Sequence, residues 1–288
     1  MTDVYLNGEF LPIEAACVPV LDRGFLFGDG VYEVIPAYGG RLFRLAHHLK
    51  RLNNSLQAVR IPEPLDAAGW RRVLETLLAG NTDGDQSVYL QVTRGVMSRR
   101  DHAFADSALT PTVFAMSSPL PEPDPQLSTQ GVAAITLDDI RWQSCHIKAI
   151  TLLPNVLLRQ QAIDAGAAEA ILLRNGQATE GAASNLFIVS GGEILTPPTG
   201  RLLLPGITRD LVLELARQHG LPCREAPISE QALRQADEIW LTSSTKEILP
   251  VTRLDGQPVG DGRPGPLYRR LHALYRDYKE AVRRGEAE

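Results

Sequence analysis

Apolar residues recur along this chain at two spacings, and the spacing changes block by block. In 4–11 they bracket Asn7-Gly8, the strongest short signal for a hairpin. Residues 31–36 read as a strand, and Gly39-Gly40 turns the chain back. Leu45, His48, Leu49, Leu52, Leu56 and Val59 then repeat at helical spacing, predicting an amphipathic helix over 45–59. Asp66 opens a second helix with Trp70, Val73, Leu74, Leu77 and Leu78 on its apolar side, ending at Gly80. Strands follow over 88–93 and 112–117, with a polar, basic loop over 94–107 between them. Residues 118–125 hold four prolines in eight positions, which interrupts any element and predicts a linker between domains 1–120 and 121–288.

Beyond the linker, 131–136 reads as a strand. The run from Asp139 reads as another, with Ile140, Trp142, Ile147 and Ile150 on its apolar side and Lys148 at its end. Pro154 suits the first turn of a helix continuing over 156–165, stopped by Gly166. Strands 170–174 and 178–179 flank Asn175-Gly176, and 185–189 and 193–196 flank Gly191-Gly192. A helix over 208–219 is capped by Thr208 and ended by Gly220-Leu-Pro222. A short helix (229–235), a strand (238–242) and a charged amphipathic helix (266–283) close the chain. Strands and helices mixed on both sides of one linker predict two α/β units.

Composition narrows what this scaffold does. A net charge of −5 argues against a general nucleic-acid binder, so an anionic ligand needs local positive charge. Three cysteines without motif spacing imply no disulfide framework and favour a reducing compartment. No apolar run is long enough to span a bilayer, and the first residues lack a secretory pattern. The expectation is a cytoplasmic protein without nucleic-acid or membrane partners and without a metal.

Four features after the linker fit one ligand. Lys148 is an amine at the edge of an apolar run, where a Schiff base with an aldehyde would neutralise it. Glu180, after the Asn-Gly hairpin, suits a hydrogen bond to a pyridine nitrogen. Leu204-Pro-Gly206-Ile207-Thr208 opens a helix whose free N–H groups suit a phosphate. Ser243 and Ser244 at a strand end add hydroxyl donors. Together these describe a pyridoxal 5'-phosphate site.

The order of the blocks resembles the fold-type IV pyridoxal-phosphate enzymes over nearly the whole chain. The matching blocks are Arg23-Gly-Phe-Leu-Phe-Gly-Asp-Gly-Val-Tyr-Glu33, His48-Leu-Lys-Arg-Leu52, Lys148, Thr179-Glu-Gly-Ala-Ala-Ser-Asn-Leu-Phe187, Leu204-Pro-Gly-Ile-Thr-Arg-Asp210 and Leu241-Thr-Ser-Ser-Thr-Lys-Glu-Ile248. The resemblance implies a smaller N-terminal α/β domain, a larger C-terminal α/β pseudo-barrel domain and a homodimer. It makes Lys148 the Schiff-base lysine and proton carrier, and Glu180 the partner of the ring nitrogen. Arg51, Gly206, Ile207, Thr208, Ser243 and Ser244 become phosphate-side residues, with Leu204 packed on the ring. By helical period alone, Arg51 is a surface arginine.

Within that family the stretch around Arg100 is similar to D-amino acid aminotransferases. Arg100 and His102, with Tyr32, match the group that holds the substrate α-carboxylate there, and Ser184-Asn185 fits the same branch. The implied reaction is transamination of D-alanine with 2-oxoglutarate. Branched-chain L-amino acid transamination and 4-amino-4-deoxychorismate lysis are the alternatives, and a non-catalytic scaffold is a third class. Two departures stand out: the loop before Arg100 is one residue longer than the pattern, and Ala182-Ala183 replaces serines.

Overall fold

The computed structural model describes residues 3–80, 84–104 and 109–288. It divides into two compact units. The first is Met1–Pro121 together with Ile147–Thr151 and Glu280–Glu288, and the second is Glu122–His146 with Leu152–Lys279. Two stretches that a linear boundary near residue 120 assigns to the C-terminal half therefore pack within the first unit.

The first unit holds β1 (Asp3–Leu6), β2 (Glu9–Pro12), α1 (Arg23–Phe27), β3 (Gly30–Tyr38), β4 (Arg41–Leu42), α2 (Leu45–Ala58), α3 (Ala67–Ala79), β5 (Gln86–Thr93) and β6 (Thr112–Pro119). Its six strands form one antiparallel sheet in the order β2-β1-β6-β5-β3-β4. Alternate residues of β5 (Val88, Leu90 and Val92) and of β3 (Val31 and Ile35) share a core with Leu52 and Leu56 of α2 and Trp70, Leu74 and Leu77 of α3. Asp66 accepts a hydrogen bond from Gly69 N at 2.7 Å, as its place before α3 predicts.

The second unit contains α4 (Pro125–Gln130), β7 (Val132–Asp138), α5 (Leu153–Asp164), β8 (Glu169–Arg174), β9 (Gln177–Gly181), β10 (Asn185–Ser190), β11 (Glu193–Thr196), α6 (Ile207–Gln218), β12 (Cys223–Glu225), β13 (Ile228–Ser229), α7 (Glu230–Arg234), β14 (Glu238–Ser243), β15 (Glu247–Leu254), β16 (Gln257–Pro258) and most of α8 (Pro266–Arg284). A mixed ten-stranded sheet runs β12-β11-β10-β14-β15-β7-β8-β9-β13, with β16 on β15, and curls into a half-barrel. Ile171, Leu186, Ile188, Ile239 and Val251 build its core with Leu233 of α7.

The main departure from the sequence reading is the run after Asp139, which is not a strand. Ile140 and Trp142 are 56% and 47% exposed, whereas Arg141 between them is buried. The chain meets a sheet where Ala149 bridges Val31. Among the described residues no helix is long and apolar enough to cross a membrane.

Candidate active site

The expected site residues fall in both units. Tyr32, Arg51, Arg100, His102 and Lys148 belong to the first, and Glu180, Leu204, Gly206, Ile207, Thr208, Ser243 and Ser244 to the second.

In the first unit the backbone fixes Lys148 from two sides. Its carbonyl accepts from Tyr32 N at 3.0 Å, and its N–H donates to Ser55 Oγ of α2 at 3.2 Å. Its Nζ stands 4.2 Å from the centroid of the Tyr32 ring, within cation–π range. Strand alternation turns Tyr32 to one face of β3 and Glu33 to the other, under α2.

Glu33 is fully buried beside Val31 and Ile35, so its charge needs partners. Arg51 supplies a two-pronged one, with Nε to Oε1 and Nη2 to Oε2, both at 2.7 Å. His48 Nδ1 lies 2.8 Å from Oε2. Burial alone disfavours the charged carboxylate, but Arg51 and His48 outweigh it and hold Glu33 well below the usual carboxylate range. For His48, burial outweighs the pull of Glu33 and lowers its affinity for a proton. Arg51 is thus a buried arginine held by β3. The period of α2 alone places it on the surface.

Arg100 and His102 lie exposed on the loop after β5 and meet at Phe27. The Arg100 guanidinium carbon is 4.9 Å from the centroid of that ring, and the His102 ring is 5.1 Å from it. Tyr32 is placed with Lys148 and with Tyr89, whose ring is 5.8 Å away.

In the second unit Glu180 is the penultimate residue of β9 and is buried. Arg141 Nη1 donates to its Oε1, and Asn185 Nδ2 and Leu204 N each donate to Oε2 at 3.0 Å. Burial pushes the carboxyl up to about 7, against Arg141 and the Leu204 N–H. Arg141 is in turn fixed by Asp139, through Nε to Oδ1 at 2.9 Å and Nη2 to Oδ2 at 3.0 Å. Asn185 pairs with Thr242 across β10 and β14, so the two side chains share a face of the sheet.

Helix α6 begins at Ile207 with Gly206 as its N-cap and no side-chain cap, so Thr208 is a first-turn residue and not the cap expected for it. A side chain at position 206 would collide with Asn185 Oδ1, and this close approach requires glycine there. Ser243 Oγ accepts from Lys246 N at 3.2 Å, which makes it a turn former at the end of β14. Arg141 and Glu33 were given no individual role from the sequence, Asn185 stood out only as part of the Ser184-Asn185 branch marker, and Thr242 only as one hydroxyl of the cluster 242–245. The available signal was the charge pattern Asp139-x-Arg141 before Lys148, and a glutamate at a core-facing position of β3.

Residues 30–254 match the family model for amino-transferase class IV. The chain is a class IV aminotransferase. This aminotransferase is 43% identical to a D-alanine aminotransferase of Bacillus licheniformis over 264 residues, 92% of each chain. It is 36% identical to a D-alanine aminotransferase of Staphylococcus haemolyticus, over 98% of this chain and 99% of the relative. Among solved structures it resembles the branched-chain amino acid aminotransferase of Escherichia coli (TM-score 0.87, 28% identity, 100% and 96% of the chains covered). It also resembles a T.th. branched-chain amino acid aminotransferase with pyridoxamine 5'-phosphate (TM-score 0.90, 26% identity, 99% and 96% covered). The aminotransferase therefore has the fold-type IV architecture.

The second unit's residues fit pyridoxal phosphate. The uncapped first turn of α6 offers N–H groups to an anion. Thr242 Oγ1 is buried without a partner among the described residues, on the face that carries Asn185 beside Glu180. A buried hydroxyl of this kind is costly unless something accepts or donates to it.

The raised Glu180 carboxyl has a consequence for the cofactor-free aminotransferase. Its folded value of about 7 exceeds the unperturbed 4.5, so between these values the folded state binds more protons than the unfolded chain. Stability from this group is greatest below about 4.5 and falls as pH rises towards 7. Glu180→Gln should remove that component. The difference in unfolding free energy between the two cofactor-free proteins should then shift in favour of the variant from pH 4.5 to 7. A pH-independent difference in denaturant titrations would show that Glu180 is not a raised acid.

Proposed function

We propose that this enzyme is a pyridoxal-phosphate transaminase of D-amino acids, converting D-alanine and 2-oxoglutarate to pyruvate and D-glutamate. The observation that carries this reading is the 43% identity to a D-alanine aminotransferase over 92% of the chain, against 26–28% to the branched-chain enzymes it resembles structurally. We place it in the cytoplasm, with its three free cysteines in a reducing environment. It works as a homodimer, which would cover the exposed apolar Leu153, Val156 and Leu157 of α5 and Val20 and Phe25 near α1.

Bound pyridoxal phosphate supplies an aldehyde carbon and an electron-withdrawing ring. Lys148 would hold that aldehyde through Nζ and, once freed by the substrate amine, would carry the α-proton on the same atom. Glu180, oriented by Arg141, Asn185 and Leu204 N–H, holds a proton at the ring nitrogen. Leu204 would pack against the ring. The N–H groups of Ile207 and Thr208, with Gly206, Ser243 and Ser244, would hold the phosphate, and the resemblance adds Arg51 to that set. Arg51 keeps its orientation through Glu33. Glu180→Gln should slow proton abstraction in a single half-reaction more than it weakens cofactor binding; an unchanged proton-transfer rate would remove Glu180 from this role.

The hand of the substrate follows from where its carboxylate is held. A lysine on one fixed face of the cofactor requires the departing hydrogen to point at that face. Exchanging carboxylate and side chain then converts a D- into an L-substrate. Arg100, His102 and Tyr32 grip the carboxylate on one side, and a methyl group gains nothing there. Misplacing the carboxylate forfeits ~1.5–3 kcal/mol, or roughly tenfold to a few hundredfold in kcat/KM. Arg100→Ala or His102→Ala should raise KM for D-alanine and erode the preference for D- over L-alanine by a comparable factor, with the cofactor spectrum intact. The deciding experiment is a panel of D- and L-amino acids against 2-oxoglutarate. Faster turnover of L-leucine or L-valine than of any D-amino acid overturns the proposal in favour of branched-chain transamination.

A further inference from the structure

Among the described residues, the loop after β5 has little regular hydrogen bonding of its own, yet it carries Arg100 and His102. It makes an isolated bridge from Val96 to Asp22. Carbonyl oxygens in such a loop need donors from elsewhere. Arg23, the first residue of α1 and only 3% exposed, provides them. Its Nη1 donates to Asp101 O at 2.7 Å and Ala103 O at 3.2 Å, and its Nη2 to His102 O at 3.2 Å. Nη1 also lies 2.9 Å from Met97 Sδ. One guanidinium therefore gathers three consecutive carbonyls around His102 and a side chain from the start of the loop.

The guanidinium is itself held in place. Arg23 Nε donates to Asp29 Oδ2 at 2.7 Å. Arg94, at the loop's entry, donates to the same carboxylate, Nε to Oδ2 at 2.7 Å and Nη2 to Oδ1 at 2.9 Å. Arg94 also stacks over Phe104 at 3.8 Å, beyond His102. Asp29 is thus the anion shared by Arg94 at the loop's entry and by Arg23, which holds the carbonyls of residues 101–103. Burial opposes its charge, but Arg94 and Arg23 overcome this and hold its carboxyl low. Phe27, on the same short helix as Arg23, packs against both Arg100 and His102.

We propose that Arg23 is a positioning residue for the substrate-carboxylate grip, fixing Arg100 and His102 through the backbone carbonyls of residues 101–103. This rests on the reading that Arg100 and His102 bind the carboxylate. In this role Arg23 acts through the loop backbone. Its role needs a planar fork with five N–H groups in fixed directions, which a lysine ammonium does not reproduce.

The test uses holoenzyme variants Arg23→Lys and Arg23→Gln, with Arg100→Ala and His102→Ala in parallel. The readouts are KM and kcat for D-alanine, the D/L ratio and the absorption of bound cofactor. Each Arg23 variant should raise KM on the order of ten- to a hundredfold and lower the D/L ratio, with the cofactor spectrum retained. In an Arg100→Ala/His102→Ala background the same replacements should change KM by less than about twofold, because both act through one grip. An unchanged KM, or an undiminished effect in that background, overturns the positioning role. If neither Arg23 variant folds with cofactor bound, Arg23 is a residue of the fold and the proposal is likewise overturned. If Arg100→Ala and His102→Ala leave KM unchanged, the carboxylate reading fails first and takes the proposal with it.

Discussion

Replacing Lys148 with alanine should reduce transamination of D-alanine by ~10²–10⁴-fold or more, since on the proposed reading it removes both the covalent anchor and the proton carrier. The protein should remain folded. The two hydrogen bonds that fix this residue, from Tyr32 N and to Ser55 Oγ, are made by its backbone, and alanine retains them. The side chain contributes the approach to the Tyr32 ring, so a small loss of stability from the cation–π contact is expected, ~0.5–1 kcal/mol. Single-turnover absorbance with D-alanine measures the rate, and thermal unfolding measures the fold. Borohydride reduction of the wild type, followed by peptide mapping, should place the cofactor on the peptide containing Lys148. Label on Lys50 or Lys246 would sink the assignment.

The second large effect is on stability and sits at Glu33. Glu33→Gln leaves Arg51 buried without the carboxylate that neutralises it and weakens the anchor of His48. Breaking a buried pair from one side costs ~3–5 kcal/mol. The sign with pH is fixed by the depressed folded value of the Glu33 carboxyl. The stabilisation is fully present above the unfolded value of 4.5 and is lost as pH falls from there towards the folded one. The stability gap between wild type and variant should therefore be constant above about pH 5 and shrink in acid. Urea titrations at several pH values read this directly. A gap below ~1 kcal/mol at neutral pH would mean that the pair is solvated in the working protein.

The helices and hairpins were legible in the sequence because each is a local pattern. Periodicity gave α2 and α3, and Asp66 marked the start of α3 because the cap bond spans three residues. The Asn7-Gly8 and Asn175-Gly176 turns have positive φ at both positions, as such two-residue turns require. What local pattern misses is a partner brought in from elsewhere. Arg51 looks like a surface residue on a helix considered alone, and it is Glu33 on β3 that buries it. After Asp139 the usual rule inverts. Burying the Glu180 carboxylate demands a cation, so Arg141 turns inward and Ile140 and Trp142 turn out.

Strand β15 was missed for a related reason. Pro250 argues against a central strand, yet β15 lies between β14 and β7, with a register shift between Val251 and Arg253 in its pairing with β7. Of the candidate site, the amine, the carboxylate and the glycine turn stand out in the sequence as residue types. The orienting contacts of Arg141 and Asn185 on Glu180 do not, because they span 39 and 5 residues of chain respectively.

That Ile147–Thr151 and Glu280–Glu288 pack within the first unit sets an order of events during synthesis. When Pro121 leaves the ribosome, the partner of Val31 at Ala149 does not yet exist. Nor does Arg283, which closes on Asp85 at 2.6 Å. A further 162 residues separate Pro121 from Arg283. At about 5–20 residues per second, that is a wait of roughly 8–32 s. The first unit's sheet therefore spends that interval with part of its packing unfilled, until residues 147–151 and then 280–288 follow it out of the ribosome and join it.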